Sequence, residues 1–460
     1  MKKLFFLFLF LNLFFSQLNA QIHLSVAPLP DSRQLAWHDM EYYFFAHFGP
    51  NTFTDKEWGL GNETEDVFNP TALNCDQWCK TAKAAGAAGI IITAKHHDGF
   101  CLWPSKFSTH TVRESKWQNG KGDVLKELSA ACKANGLKFG VYISPWDRNH
   151  PKYGTSEYND VFVGMMKEIF ENYGPIWELW WDGANGEGPN GKKQVYDWNR
   201  FIKTVRSLSP GTVVFSDIGP DIRWAGNENG FAGKTNWNLL DTAGFKAGIG
   251  APSTDTLNAG NVYGKNWIPA ECDVSIRSGW FYHAYEDSTV KSPEKLFDLY
   301  LKSVGRGADL LLNVPPDRNG IINKKDSLAL IGFKKLRDEN FNKDLVKQAI
   351  VENKSRTNKT ADHKTALSKM IIWKEPVAVN CLVLKENIAE GQRIKNIDII
   401  LSIHGIELKK LNVTTVGHKR IISFPTEKVT EISVVVNAAK AKPMLSSVEA
   451  YHIAENLIEK

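Results

Sequence analysis

Ile176-Trp177-Glu178-Leu179-Trp180-Trp181-Asp182-Gly183 is an apolar run, interrupted only by Glu178, that stops on a carboxylate. Its apolarity is near-continuous rather than alternating, the pattern of a strand covered on both faces. The same unit recurs on either side, at residues 42–48, 90–95, 138–144, 212–217, 270–276 and 309–314. Amphipathic helical segments separate these runs. Asn74 opens one that extends to Gly86, and Ser292-Pro293 opens another whose apolar face carries Leu296, Leu299 and Tyr300. Strand and helix in repeated alternation predict a (β/α)8 barrel. Seven strands are legible, and the eighth is expected in the Gly/Asn-rich stretch 236–267.

After residue 343 the pattern turns all-β. Residues 368–373, 377–384, 397–402, 406–411, 419–424, 431–436 and 447–453 are short, often β-branched, and punctuated by Pro, Gly and Asn. That spacing predicts a C-terminal β-sandwich, with polar residues 353–364 as linker or first loop. The expected division is a leader at 1–20, the barrel at 21–343 and the sandwich at 344–460. This last part contains a single Trp, Trp373, so it reads as a module that covers the barrel rather than one that binds sugars through aromatic platforms.

The chain has 460 residues, and 56 Lys+Arg against 51 Asp+Glu leave a formal charge of +5. The cations are scattered, so nucleic acid is not an expected partner. Fifteen Trp exclude a disordered chain and favour a site with flat apolar walls. At the N-terminus, Lys2-Lys3, the apolar run 4–15 and Leu18-Asn19-Ala20 form a secretory signal pattern, with the mature chain starting near Gln21. The run is shorter than the ~20 residues that a membrane span needs. A bacterial protein exported to the periplasm, or beyond the cell, is the expected product. Six Cys in so long a chain do not make a disulfide scaffold, and Cys75 and Cys79 lack a second pair at zinc spacing.

In a (β/α)8 barrel the chemistry lies at the C-terminal ends of the strands. Here those ends read Ala46-His47-Phe48-Gly49, Lys95-His96-His97-Asp98-Gly99-Phe100, Tyr142-Ile143-Ser144-Pro145-Trp146-Asp147 and Trp181-Asp182-Gly183. Asp182 closes its strand between tryptophans and a glycine that permits close backbone approach. Glu228 follows in a Gly/Asn-rich loop from which a carboxylate can reach over a pocket. Together they form the kind of pair that glycoside hydrolysis uses, one ionised nucleophile and one proton donor. His96 and His97 suit hydrogen bonding to substrate hydroxyls. Metal ligation is not expected, because the first strand offers only His47 where metal-dependent barrel hydrolases carry two histidines.

Phe45-Ala46-His47-Phe48-Gly49, Glu57-Trp58, Lys95 to Phe100, Ser144-Pro145-Trp146-Asp147-Arg148-Asn149 and Leu179 to Gly183 resemble the α-L-fucosidases of glycoside hydrolase family 29 over residues 30–343. Ser144 to Asn149 and Trp224-Ala225-Gly226-Asn227-Glu228 are similar to the subgroup that prefers α-1,3/1,4-linked fucose on Lewis-type glycans. The resemblance implies Asp182 as nucleophile and Glu228 as acid/base. It also implies His47, Trp58, His96, His97, Tyr142, Arg223 and Trp280 around the fucose. Glu57, beside Trp58 at the substrate, and Glu271 are rival carboxylates for the acid/base. The implied activity is a retaining exo-α-L-fucosidase that needs no cofactor, with a fucosylated oligosaccharide or glycoprotein glycan as its partner. The alternative is a catalytically silent fucoside-binding protein on the same barrel.

Overall fold

The computed structural model describes residues 25–247, 250–357 and 365–459. The leader read at 1–20 lies outside them, and so do 358–364 of the expected linker. The first strands, in chain order, are β1 (Tyr42–Ala46), β2 (Gly89–Lys95), β3 (Lys138–Ile143), β4 (Glu178–Trp180), β5 (Val213–Ser216) and β6 (Ile222–Trp224). There follow β7 (Leu239–Leu240), β8 (Asn266–Trp267), β9 (Ala270–Ser275) and β10 (Asp309–Asn313). Eight of them close into a parallel barrel in the order β1-β10-β9-β6-β5-β4-β3-β2. β7 and β8 form a separate antiparallel pair. The expected position of the eighth strand is therefore corrected. It is β6, three residues long, and 236–267 is an excursion outside the barrel. The helices begin as read: Asn74 accepts the amide of Gln77 at 2.9 Å, and Ser292 caps Pro293–Lys302.

Strand alternation divides the apolar residues into two populations. Tyr43, Phe45, Ile91, Tyr142, Trp180, Val213, Phe215, Ile222 and Leu311 fill the lumen. Their outward neighbours, such as Phe44, Ile90, Ile92, Val141, Leu179, Leu310 and Leu312, pack with the surrounding helices. The lumen is a stacked aromatic column, in which Trp180 lies flat on Phe215 with ring centres 4.1 Å apart. At its base Glu178 and Glu271 are buried close enough for each to disfavour the other's charge. Burial pushes both carboxyls up, Glu271 to about 7.

The C-terminal part comprises β11 (Ile350–Thr357), β12 (Thr365–Glu386), β13 (Ile394–Ile403), β14 (Ile406–Thr414), β15 (Arg420–Ala439) and β16 (Leu445–Tyr451). They form one antiparallel sheet around its own core, with Ile371, Leu382, Ile397, Ile399, Ile432 and Val434 inside. Residues 353–357, expected in a linker, belong to β11. Four of the expected short strands are two long ones. Pro376 sits within β12 and Pro425 within β15, each where the register slips rather than where the strand ends. Cys381, Val383, Ile421, Tyr451, Ile453 and Leu457 join the barrel's helical core instead of the sheet's own. The Ile421 amide donates to Gly305 O at 2.8 Å, and Gln392 accepts the Asn238 amide at 2.8 Å. Deleting the chain from Asp344 onward should therefore strip apolar surface from the barrel. The expected result is a poor soluble yield and a melting temperature lower by at least about 10 °C, a few kcal/mol for a domain of this size. A truncated chain that is soluble and melts where the full chain does would show that the sheet is not needed to cover the barrel.

Candidate active site

Residues that the sequence scatters over more than 230 positions converge at the C-terminal mouth of the barrel. A cavity of about 180 Å³ is lined by His47, Glu57, Trp58, His96, His97, Tyr142, Asp182, Glu228 and Trp280, and also by Phe45, Trp180, Ala184 and Asp273. Strand parity explains the convergence: Phe45 and His47, Trp180 and Asp182, and Glu271 and Asp273 are i, i+2 pairs that share the inner face.

Asp182 is partly buried and held on both oxygens. Oδ1 accepts the Ala184 amide at 2.7 Å and Oδ2 accepts the Tyr142 hydroxyl at 3.1 Å. A Cβ at residue 183 would collide with the Asp217 carboxyl, so glycine is what lets that carboxyl approach the backbone here. That neighbour is itself pushed up to about 6 by burial, with Asp182 adding to the effect.

Three imidazoles line the cavity with Asp182. The Ser144 hydroxyl donates to Trp146 O at 2.9 Å, so Ser144 Oγ accepts from His97 Nδ1 at 2.8 Å, and His97 Nε2 is left as an acceptor. It lies 3.7 Å from Asp182 Oδ2, too far for a hydrogen bond. His47 is fixed in the same sense. The Asn313 amide nitrogen donates to Ser275 and Trp280 O, so Asn313 Oδ1 accepts from His47 Nδ1 at 2.9 Å. Burial lowers His97 to about 4 and His47 to about 3, and it also lowers His96, whose Nδ1 is buried without a partner. Neutral imidazoles with open acceptor nitrogens suit sugar hydroxyls, which donate.

The loops are tied down behind the cavity. Lys95 and Asp147 form a fully buried ion pair at 3.3 Å, and Asp147 also accepts the His150 and Asn149 amides. Arg148 donates to Gly59 O at 2.7 Å and Asn149 to Gly61 O at 2.8 Å, which clasps the segment bearing Glu57 and Trp58. Trp58 is 53% exposed and stands edge-on to His97 and Trp146, the geometry of a lip rather than a core residue.

The four candidate carboxylates have different surroundings. Glu228 is exposed and meets the Trp280 indole N–H at 3.3 Å. Glu57 lines the cavity but already accepts the Trp280 and Phe281 amides and His283 Nε2. Glu271 is corrected as a rival, because it is fully buried one layer down, where it accepts from Trp180 Nε1 at 2.8 Å and from Tyr43. Asp273, not singled out from sequence, is buried in the cavity wall and accepts from Trp224 Nε1 at 3.0 Å. Burial, with Glu228 and Glu271 nearby, holds its carboxyl well above the usual range.

Arg223 is the other correction. Ile222 faces the lumen, so Arg223 faces out of the barrel, where its guanidinium donates to Leu257 O at 2.8 Å, Trp237 O at 3.0 Å, Asn236 and Ile268 O. It braces the excursion 236–267 and does not line the cavity. All six cysteines are buried and unpaired. Among the described residues no group of three or more His, Cys, Asp or Glu could hold a metal ion, and no helix is long and apolar enough to cross a membrane.

A small cavity at the C-terminal mouth of a (β/α)8 barrel, walled by aromatics and carrying a carboxylate held in place, is the apparatus of a glycoside hydrolase. The α-L-fucosidase family model matches residues 22–333, and the chain belongs to that family, glycoside hydrolase 29. It is 40% identical to Alpha-L-fucosidase 1 of Arabidopsis thaliana over 450 residues, 93% of this chain and 88% of that one. A glycoside hydrolase 29 member from an unknown rumen bacterium superposes with a TM-score of 0.87 at 41% identity, covering 94% of this chain and 78% of that one. A Ruminococcus gnavus glycoside hydrolase 29 fucosidase solved in complex with fucose gives 0.87 at 30% identity, over 96% and 98% of the two chains.

Proposed function

We propose that this chain is an exported, retaining exo-α-L-fucosidase that prefers α-1,3/1,4-linked fucose. The observation that carries the reading is that Asp182, anchored by Tyr142 and Ala184, and Glu228 line one cavity of about 180 Å³, room for a single sugar ring. Asp182 attacks the anomeric carbon as the bond to the leaving oxygen breaks, and Glu228 gives that oxygen its proton. Water then attacks the fucosyl-enzyme, Glu228 takes the water's proton, and the Asp182 carboxylate departs, so configuration is retained. The mechanism requires the two carboxyls to work ~5–5.5 Å apart. Phe45, Trp58, Trp180 and Trp280 supply an apolar wall for the C5 methyl of a 6-deoxy sugar, and His47 and His97 accept from its hydroxyls.

Support for the linkage preference lies in the clasp formed by Arg148 and Asn149, which holds Trp58 and Trp146 together at the rim where a branching sugar would rest. The test is to incubate a Lewis trisaccharide and 2-fucosyllactose side by side and measure free fucose. Release is expected to be at least about tenfold faster from the Lewis trisaccharide, a difference of about 1.4 kcal/mol in the barrier. Faster release from 2-fucosyllactose would overturn the preference while leaving the activity intact.

A further inference from the structure

Beyond the cavity just described lies a second, larger one of about 590 Å³, and the two share Glu228 and Trp280 as a common wall. As the proton donor Glu228 meets the leaving oxygen, so the leaving saccharide starts at the wall that the two cavities share. The second cavity's charge is one-sided. Arg277, Lys291, Lys295, Lys302 and Arg306 line it, against Glu228 as the only anion among the described lining residues.

The two arginines are neutralised from behind, Arg277 by Asp326 at 3.0 Å and Asp287 at 2.9 Å, Arg306 by Glu459. The three lysines are neutralised less completely. Lys295 and Lys302 divide one carboxylate, Asp298, at 2.9 and 2.7 Å. Lys291 makes no ion pair among the described residues, and its ammonium donates to Ser275 O at 2.6 Å and Arg277 O at 3.1 Å, using two of its three N–H groups. Burial and the nearby Lys295 hold that ammonium below the usual lysine range, against a smaller opposing pull from Glu286. Phe231, which is exposed, adds apolar surface on which a sugar face can rest.

We infer that this cavity is a leaving-group subsite for an acidic saccharide, one bearing a carboxylate or a sulfate ester, and that the enzyme prefers fucosylated glycans with such a group on the sugar beside the fucose. The inference rests on the retaining-fucosidase reading.

The experiment compares kcat/KM for a neutral Lewis-type trisaccharide with the same trisaccharide carrying a carboxylate-bearing sugar and, separately, a sulfate ester. An aryl fucoside serves as the reference for folding and chemistry. At about 20 mM salt the acidic substrates should be cleaved at least about fivefold faster than the neutral one, and the ratio should fall toward one at about 0.5 M salt, where the Debye length is only a few Å. In K295Q/K302Q, and separately in K291Q, the ratio should fall toward one at low salt as well. Comparing the two acidic arms identifies which anion the subsite takes. The same comparison is made for binding to the Asp182→Gly variant, which reads the subsite without turnover. Turnover of the aryl fucoside with equal or lower kcat/KM on acidic substrates, or a ratio that no lysine variant moves, would overturn the subsite. Absent turnover with a retained acidic preference in binding would sink the hydrolase reading alone.

Discussion

Replacing Asp182 by glycine is expected to lower kcat/KM on an aryl α-L-fucoside by at least about 10⁴-fold, a barrier increase of about 5.5 kcal/mol. The fold should survive. Asp182 lies at the end of β4, partly open to the cavity, and contributes to neither the aromatic column nor the helical core. The substitution leaves the Tyr142 hydroxyl and the Ala184 amide facing a small space, which external azide can enter. Added azide should restore turnover and give β-fucosyl azide, because the anion attacks from the side Asp182 occupied. Asp217 supplies the control. Its carboxyl sits against Gly183 and is the nearest candidate for a substitute nucleophile, so the double variant with Asp217→Asn is expected to show the same azide rescue. Activity within about tenfold of wild type would mean that Asp182 is not the nucleophile, since only about 1.4 kcal/mol would separate the two enzymes.

The residues that line the cavity were largely legible because the barrel concentrates chemistry at strand ends, and strand ends are what apolar runs mark best. β4 was clear, with an apolar run interrupted only by Glu178 and an abrupt carboxylate. β6 was not. It has three residues, and the middle one, Arg223, is a cation that looks like part of a polar loop. The excursion 236–267 folds back to bury that cation in carbonyl oxygens, and nothing local in the sequence announces a contact 34 or 45 residues away. Asp273 was missed for the opposite reason. It sits inside a strand rather than at its end, although its i, i+2 spacing from Glu271 was a usable signal for a second inward-facing acid. In the C-terminal part, Pro376 and Pro425 read as strand ends because proline cannot donate to a ladder. The bulged registers of β12 and β15 accommodate them, a tertiary solution that the local pattern does not encode.

Glu228→Ala is expected to separate substrates by how much help their leaving groups need. An aryl fucoside expels a stabilised phenolate and requires little protonation, so the first step should slow modestly. A Lewis trisaccharide expels an alkoxide and depends on the proton, so kcat/KM there should fall on the order of 10²–10⁴-fold, the range of general acid catalysis. The position of Glu228 is consistent with this division. It is exposed at the wall shared by the two cavities, and its one hydrogen bond among the described residues is to the Trp280 indole, so it can meet an oxygen on either side. Glu57 is the comparison that decides. Its oxygens receive two backbone amides and His283, so Glu57→Gln should loosen the Trp280 segment and raise KM for aryl fucoside and trisaccharide alike. Steady-state kinetics of both variants on both substrates distinguish the roles. A leaving-group-dependent loss in Glu57→Gln, with a uniform loss in Glu228→Ala, would reverse the assignment and make Glu57 the acid/base.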